Sequence, residues 1–97
     1  MKRETEHPGL QDLRARIGAV DAELIRLLAE RFGLVDELAA IKRAEGVPVE
    51  DPAREQALCR QYEAICGREG FDAETAKRIF HAIFAESKAR QRRARGE

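Results

Sequence analysis

LQDLRARIGAVDAELIRLLAERFGLVDELAAIKRAE, residues 10–45, decides the fold. Its apolar positions fall at Leu10, Leu13, Ile17, Val20, Leu24, Leu27, Leu34, Leu38 and Ile41. That 3-4-3-4 spacing is the signature of an α-helix with one apolar seam, here sustained for more than four heptads. Pro8 and Gly9 stand before it and Gly46 and Pro48 after it, so punctuation bounds the helix from about Leu10 to Glu45. Only Gly18 and Gly33 weaken its interior. A helix of about 36 residues is roughly 54 Å long, more than the ~25 to 35 Å width of a compact domain of this size. Alone, such a helix exposes its seam to water. About 50 residues follow, too few to cover it, so the sequence predicts that the same helix of a second copy does.

Moving outward, Asp51-Pro52 reads as an N-cap followed by proline at the first helical position, opening a second helix that ends near Gly67. Its apolar face is Leu58, Tyr62 and Ile65 with Cys59 and Cys66. After the turn Gly67 to Phe71, Asp72 caps a third helix with the stripe Ala76, Ile79, Phe80, Ile83 and Phe84, reaching Gln91 or beyond. No alternating strand pattern or internal repeat occurs. The reading is all-α: one long, one short and one medium helix forming an intertwined homodimer, with residues 1–9 as an extension, 10–91 as the domain and 92–97 as a basic tail.

Composition narrows the function. The chain has 97 residues, with 18 basic and 18 acidic side chains and no net charge, so neither nucleic acid nor an anionic membrane is expected as a partner. The basic tail is read as merely solvated. Residues 1–9 lack the apolar run of a secretory signal, and no stretch is long enough to span a membrane, so a cytoplasmic setting is expected. The two cysteines, seven apart and without a Cys/His grouping, suit core packing rather than zinc; no metal is expected.

Polar residues interrupt the seam. Continuing Leu10, Ile17, Leu24 by seven lands on Arg31 before returning to Leu38. A guanidinium in an apolar row must snorkel, pair with a carboxylate such as Asp36 or Glu45, or meet an anionic ligand. Lys42 lies eleven residues on, within about 20° of the same direction, so both cations face one site over Leu38. Arg14, seventeen residues before Arg31, reaches such a site only from the partner chain of an antiparallel pair. The third helix repeats the anomaly, its stripe turning polar at Ser87 and Gln91. Asp51, Arg54 and Glu55 gather in the first turn of the second helix, where backbone N–H groups point outward.

From LRARIGAVDAELIRLLAER (13–31) through Lys42 and VEDPARE (49–55) to ESKARQ (86–91), the chain resembles the all-helical chorismate mutase family over residues 10–91. The specificity lies in the ordered set rather than in any one motif. The resemblance implies a stand-alone isomerase that rearranges chorismate to prephenate, without a cofactor and without an appended dehydratase, dehydrogenase or synthase domain. It implies that Arg14 of the partner chain and Arg31 hold the two substrate carboxylates, with Arg54 and Ser87 assisting. By the same resemblance Lys42 and Gln91 would donate to the ether oxygen. The backbone near Asp51 and the Glu55 carboxylate are implied to hold the ring hydroxyl, and Leu38 and Phe84 to line the apolar wall, Phe84 being bulkier than the family's aliphatic residue. Any regulatory partner enzyme is left unnamed.

Two alternatives keep the fold and change the substrate, namely a 4-amino-4-deoxychorismate mutase and an isochorismate-pyruvate lyase. Glu55 can accept from a hydroxyl or pair with an ammonium, so it admits the amino substrate, whereas Ser87 with the Asp51/Glu55 corner favours the mutase over the lyase. A third, from another class, is a noncatalytic helical dimer or adaptor, against which stands the arginine in an apolar row.

Overall fold

The computed structural model of the chain describes residues 7–97. These form three helices and, among the described residues, no strand: α1 Pro8–Glu45, α2 Pro52–Glu69 and α3 Ala73–Ala94. The long, short, medium order is the one expected. Residues 1–6 of the expected N-terminal extension lie outside the described residues.

Local chemistry sets each boundary. Pro8 starts α1 two residues before the expected Leu10, because proline suits the first helical turn and His7 caps it. The Leu10 N–H donates to the His7 carbonyl at 3.0 Å and to its ring Nδ1 at 3.2 Å. At the other end, Gly46 takes φ +70°. Its N–H and that of Val47 donate back to the carbonyls of Arg43 (3.4 Å) and Lys42 (2.9 Å), the paired closure that a left-handed residue permits. Gly70, at φ +67°, closes α2 in the same way: its own N–H and that of Phe71 both donate to the Cys66 carbonyl. The helix therefore passes through the expected stop at Gly67 and runs to Glu69. Asp51 caps α2 by accepting from the Arg54 N–H at 3.1 Å, and Asp72 caps α3 by accepting from the Thr75 N–H at 2.9 Å and its hydroxyl at 2.8 Å. α3 continues to Ala94, so residues 92–94 of the basic tail are helical.

The chain divides into two compact units at Gly33. In the first, residues 7–33, the described side chains are exposed apart from the half-buried Leu10, Leu28, Arg31 and Phe32. Its ion pairs are one-turn surface pairs, Arg16 with Asp12 and Arg26 with Glu23 and Glu30, which solvent screens. None of its described residues is fully buried, so this stretch has no core of its own.

The second unit, residues 34–97, holds the core: Val35 and Ala39 of α1, Cys66 of α2 and Ala76 of α3. Tyr62 stacks at 4.7 Å from Phe80 and 6.2 Å from Phe84, with the two phenylalanine rings 5.8 Å apart. Tilted rings at these separations add attraction beyond the area they bury. The end of α1 thus presents two faces. Val35, Ala39 and Lys42, spaced 4 and 3, turn into the unit, while Leu34, Leu38 and Ile41 of the expected seam stay 60, 44 and 56% exposed. Among the described residues no helix is long and apolar enough to cross a membrane.

Candidate functional site

The C-terminal half of α3 carries Lys88, Gln91, Arg92 and Arg95 at spacings of 3, 1 and 3, which puts all four on one helical face. That face is turned toward the connection between α1 and α2 and the first turn of α2. Arg95 donates to the Val47 carbonyl, and Arg92 pairs with Glu50 at 2.6 Å. Lys88 pairs with Glu55 at 2.7 Å and with Glu50 at 3.2 Å. Residues 92–97 are therefore not merely solvated: Arg92 and Arg95 reach back to Glu50 and Val47.

At the centre of this arrangement, the Lys42 ammonium donates to the Gln91 side-chain oxygen at 3.0 Å and to the Val49 carbonyl at 3.3 Å. Lys42 comes from the last turn of α1 and Gln91 from the last turn of α3, so one contact joins residues 49 apart in sequence. Gln91 is 6% exposed and Ser87 7%, the buried polar side chains of the described residues. The polar end of the α3 stripe is thus buried rather than frayed into solvent. The Ser87 hydroxyl donates to the Ile83 carbonyl at 3.0 Å, within its own helix. A buried amide that accepts from an ammonium through its oxygen keeps its NH2 as a donor for something else.

Charge is balanced locally. Hydrogen bonds donated to Glu55 and then to Glu50 raise the Lys88 ammonium above its ordinary value. The Glu50 carboxyl is held below the usual carboxylate range, first by Lys88 and then by Arg92. On the neighbouring flank of α3, Arg90 joins Glu86 and Asp36 of α1, both at 3.0 Å, which occupies one of the carboxylates expected to neutralise a cation of the seam.

Of the other expected site residues, Asp51 is the N-cap of α2 and Arg54 is exposed beside it, while Glu55 is half-buried against Lys88. Leu38 is on the exposed face of α1. Phe84 lies in the ring cluster and, with Cys59, Tyr62, Cys66, Ala76 and Phe80, lines a groove of about 140 Å³ between α2 and α3. Both cysteines are free, as core packing requires. Arg14 and Arg31 belong to the first unit. There Arg14 is exposed, and the half-buried Arg31 guanidinium lies 5.8 Å from the centre of the Phe32 ring, within cation–π range. The structure thus joins Lys42 with Gln91 and sets Glu55 on Lys88.

Residues 13–92 match the family model for chorismate mutase type II. The chain belongs to the chorismate mutase type II family. Membership makes it an enzyme, an isomerase. It is 30% identical to a protein named chorismate mutase from Methanocaldococcus jannaschii over 83 residues, covering 86% of this chain and 84% of the relative. It is also 32% identical over 82 residues to the T-protein of Haemophilus influenzae, and 35% identical over 83 residues to the bifunctional chorismate mutase/prephenate dehydratase of Escherichia coli. These matches cover 84 and 86% of this chain but 22 and 21% of those longer relatives, so the chain spans about a fifth of their length.

Lys88 was missed in the sequence because it lies in the ESKARQ stretch between Ser87 and Gln91 with no role of its own. The signal that exposes it is the spacing Lys88, Gln91, Arg92, Arg95, a helical face directed at the acidic pair Glu50 and Glu55.

Proposed function

We propose that the chain converts chorismate to prephenate in the cytoplasm as an intertwined homodimer, with Lys42 and Gln91 as the donors to the breaking ether bond. The observation that carries this reading is the Lys42–Gln91 contact at 3.0 Å, with the amide 6% exposed. The rearrangement is pericyclic: the C–O bond breaks as a C–C bond forms, and no proton, nucleophile or electron carrier has to be supplied. The protein must fold the flexible dianion into its compact conformer and stabilise the negative charge that grows on the ether oxygen. Donors aimed at that oxygen bind the transition state better than the substrate, which lowers the barrier rather than KM alone. Lys42 brings a full charge and Gln91 a neutral N–H that does not depend on pH.

The remaining roles follow the family resemblance. Arg31 and Arg14 of the second copy grip the two carboxylates through paired hydrogen bonds, assisted by Arg54 and Ser87; orientation of this kind is worth several kcal/mol. The backbone at Asp51 and the Glu55 carboxylate receive the ring hydroxyl, and Leu38 and Phe84 form the apolar wall.

The homodimer is supported by what α1 leaves uncovered. Nine large apolar side chains of α1, from Leu13 to Ile41, are 44 to 67% exposed. Covering them in a second copy recovers about 1 kcal/mol each, roughly 10 kcal/mol per protomer, comparable with the ~4 to 15 kcal/mol cost of association. The groove between α2 and α3 is an apolar surface such a helix can fill.

Loss of chorismate absorbance with purified protein and no added cofactor tests the reading, with isochorismate and 4-amino-4-deoxychorismate run in parallel. Turnover to prephenate that falls at least about 100-fold in Lys42→Ala is the expected outcome. Turnover of another substrate alone would move the protein to a different reaction on the same fold, and no turnover of any would leave a noncatalytic helical dimer.

A further inference from the structure

We infer that Lys88 is a specificity-determining positioning residue: by holding Glu55 in a charge-balanced cluster, it tunes the ring-substituent corner to a hydroxyl and against an ammonium. The inference rests on the proposed role of Glu55 as acceptor for the ring substituent. A lone carboxylate at this corner does not discriminate, since it accepts a hydrogen bond from a hydroxyl and pairs still better with an ammonium. The corner, however, does not hold a lone carboxylate. Lys88 Nζ lies 2.7 Å from Glu55 and 3.2 Å from Glu50, and Arg92 lies 2.6 Å from the second Glu50 oxygen. Two carboxylates are thus set against two cations, and the cluster is neutral before any ligand arrives.

A ring hydroxyl adds no charge and needs one lone pair, which a carboxylate engaged by a single ammonium still has to spare. A ring ammonium would bring a third cation to a corner whose negative charge is already matched, with Arg54 in the same turn of α2 as Glu55. It would have to displace Lys88 or sit beside it, and like charges at such distances repel. Lys88 also fixes the direction of Glu55. Its side chain is 26% and that of Glu55 33% exposed, so the pair is partly shielded and lies between two helices rather than along one. Lys88 precedes Gln91 by three residues and follows Ser87 directly, so it stands on the same turns of α3 as the two buried polar residues. It acts through Glu55 and is not placed against the reacting atoms.

The test uses the full chain and its Lys88→Met and Lys88→Arg variants, with kcat and KM measured separately on chorismate and on 4-amino-4-deoxychorismate, and with helical circular dichroism confirming that each variant is folded. In Lys88→Met, KM for chorismate should rise several-fold while kcat changes little, and the ratio of kcat/KM for the amino substrate to that for chorismate should rise about tenfold, the effect of one cation removed from a partly shielded site. Lys88→Arg, which keeps the charge, should restore both. A ratio unchanged in folded Lys88→Met, with chorismate turnover intact, would overturn the inference while leaving the proposed function standing. Absence of chorismate turnover by the wild-type chain would instead remove the functional reading, and this inference with it.

Discussion

Gln91→Glu replaces one side-chain N–H donor with a group that donates only when protonated, and nearly isosterically. In the wild-type chain the Gln91 oxygen accepts from Lys42 at 3.0 Å, which under the proposed role leaves the NH2 as the donor to the ether oxygen. In the variant, the ionised carboxylate would accept from Lys42 through one oxygen and present the other, as an anion, to an oxygen that is itself gaining negative charge. Two opposing forces set its titration: 6% exposure at this position favours the neutral acid, and the Lys42 ammonium favours the carboxylate. If they cancel and the group titrates near the ordinary ~4.3, roughly one sixth of the molecules are competent at pH 5 and about one in 5,000 at pH 8. Loss of such a donor costs about 100- to 1,000-fold in kcat, which sets the floor at high pH. The variant should therefore run within about tenfold of wild type at pH 5 and fall by about 100-fold or more at pH 8, whereas wild type, neutral at this position, shows no such drop. The assay is initial-rate loss of chorismate between those pH values. Equal activity of Gln91→Glu at both would refute the donor role.

Further outcomes concern assembly and the pH dependence of stability. Sedimentation should give twice the 10.9 kDa chain mass, Leu24→Lys should shift the protein toward monomer with loss of activity, and mixing inactive Arg14→Ala with inactive Arg31→Ala should restore roughly a quarter of wild-type activity if each site draws on both chains; no restoration would mean the site is not shared. The thermal midpoint should hold from pH 7 to about the ordinary carboxylate value of 4.5 and then fall, because Arg90 and then Arg93 hold the Glu86 carboxyl below that value and Lys88 does the same for Glu50. A lowered folded-state value stabilises above the unfolded one and is lost as pH drops through the folded one. Glu86→Gln should flatten part of that fall, and an unchanged slope would show that these pairs are too screened to matter.

The three helices could be read from the chain because local signals punctuate it: Asp51 and Asp72 cap the starts of α2 and α3 and Gly46 ends α1 in left-handed backbone, whereas the end of α2 fell at Gly70 rather than at the expected Gly67. The polar breaks at Ser87 and Gln91 could be read because burial makes a polar residue in an apolar stripe costly, and both are indeed buried. Counting heptads hid the second face of α1. Val35 and Ala39 are small and fall outside the leucine row, yet they pack within the unit while the row itself stays exposed. The basic tail was misleading for a related reason: charge composition suggested solvent, and only the helical phase of Lys88, Arg92 and Arg95 reveals that they reach across to the acidic start of α2. Phe84 also packs in the ring cluster with Tyr62 and Phe80, a contact between helices that the stripe of one helix does not announce.

The ring cluster supplies an intrinsic optical reporter. Tyr62 is the single tyrosine of a chain with no tryptophan, and it sits 4.7 Å from Phe80. Its near-ultraviolet dichroism and its emission therefore arise from one locus between α2 and α3, while far-ultraviolet dichroism sums over all three helices. Recording both through a single melt compares the aromatic locus with total helicity, without a label or an engineered fluorophore. Coincident curves would mean that α1 melts cooperatively with that locus, and separated curves would resolve the long helix as a distinct thermal transition.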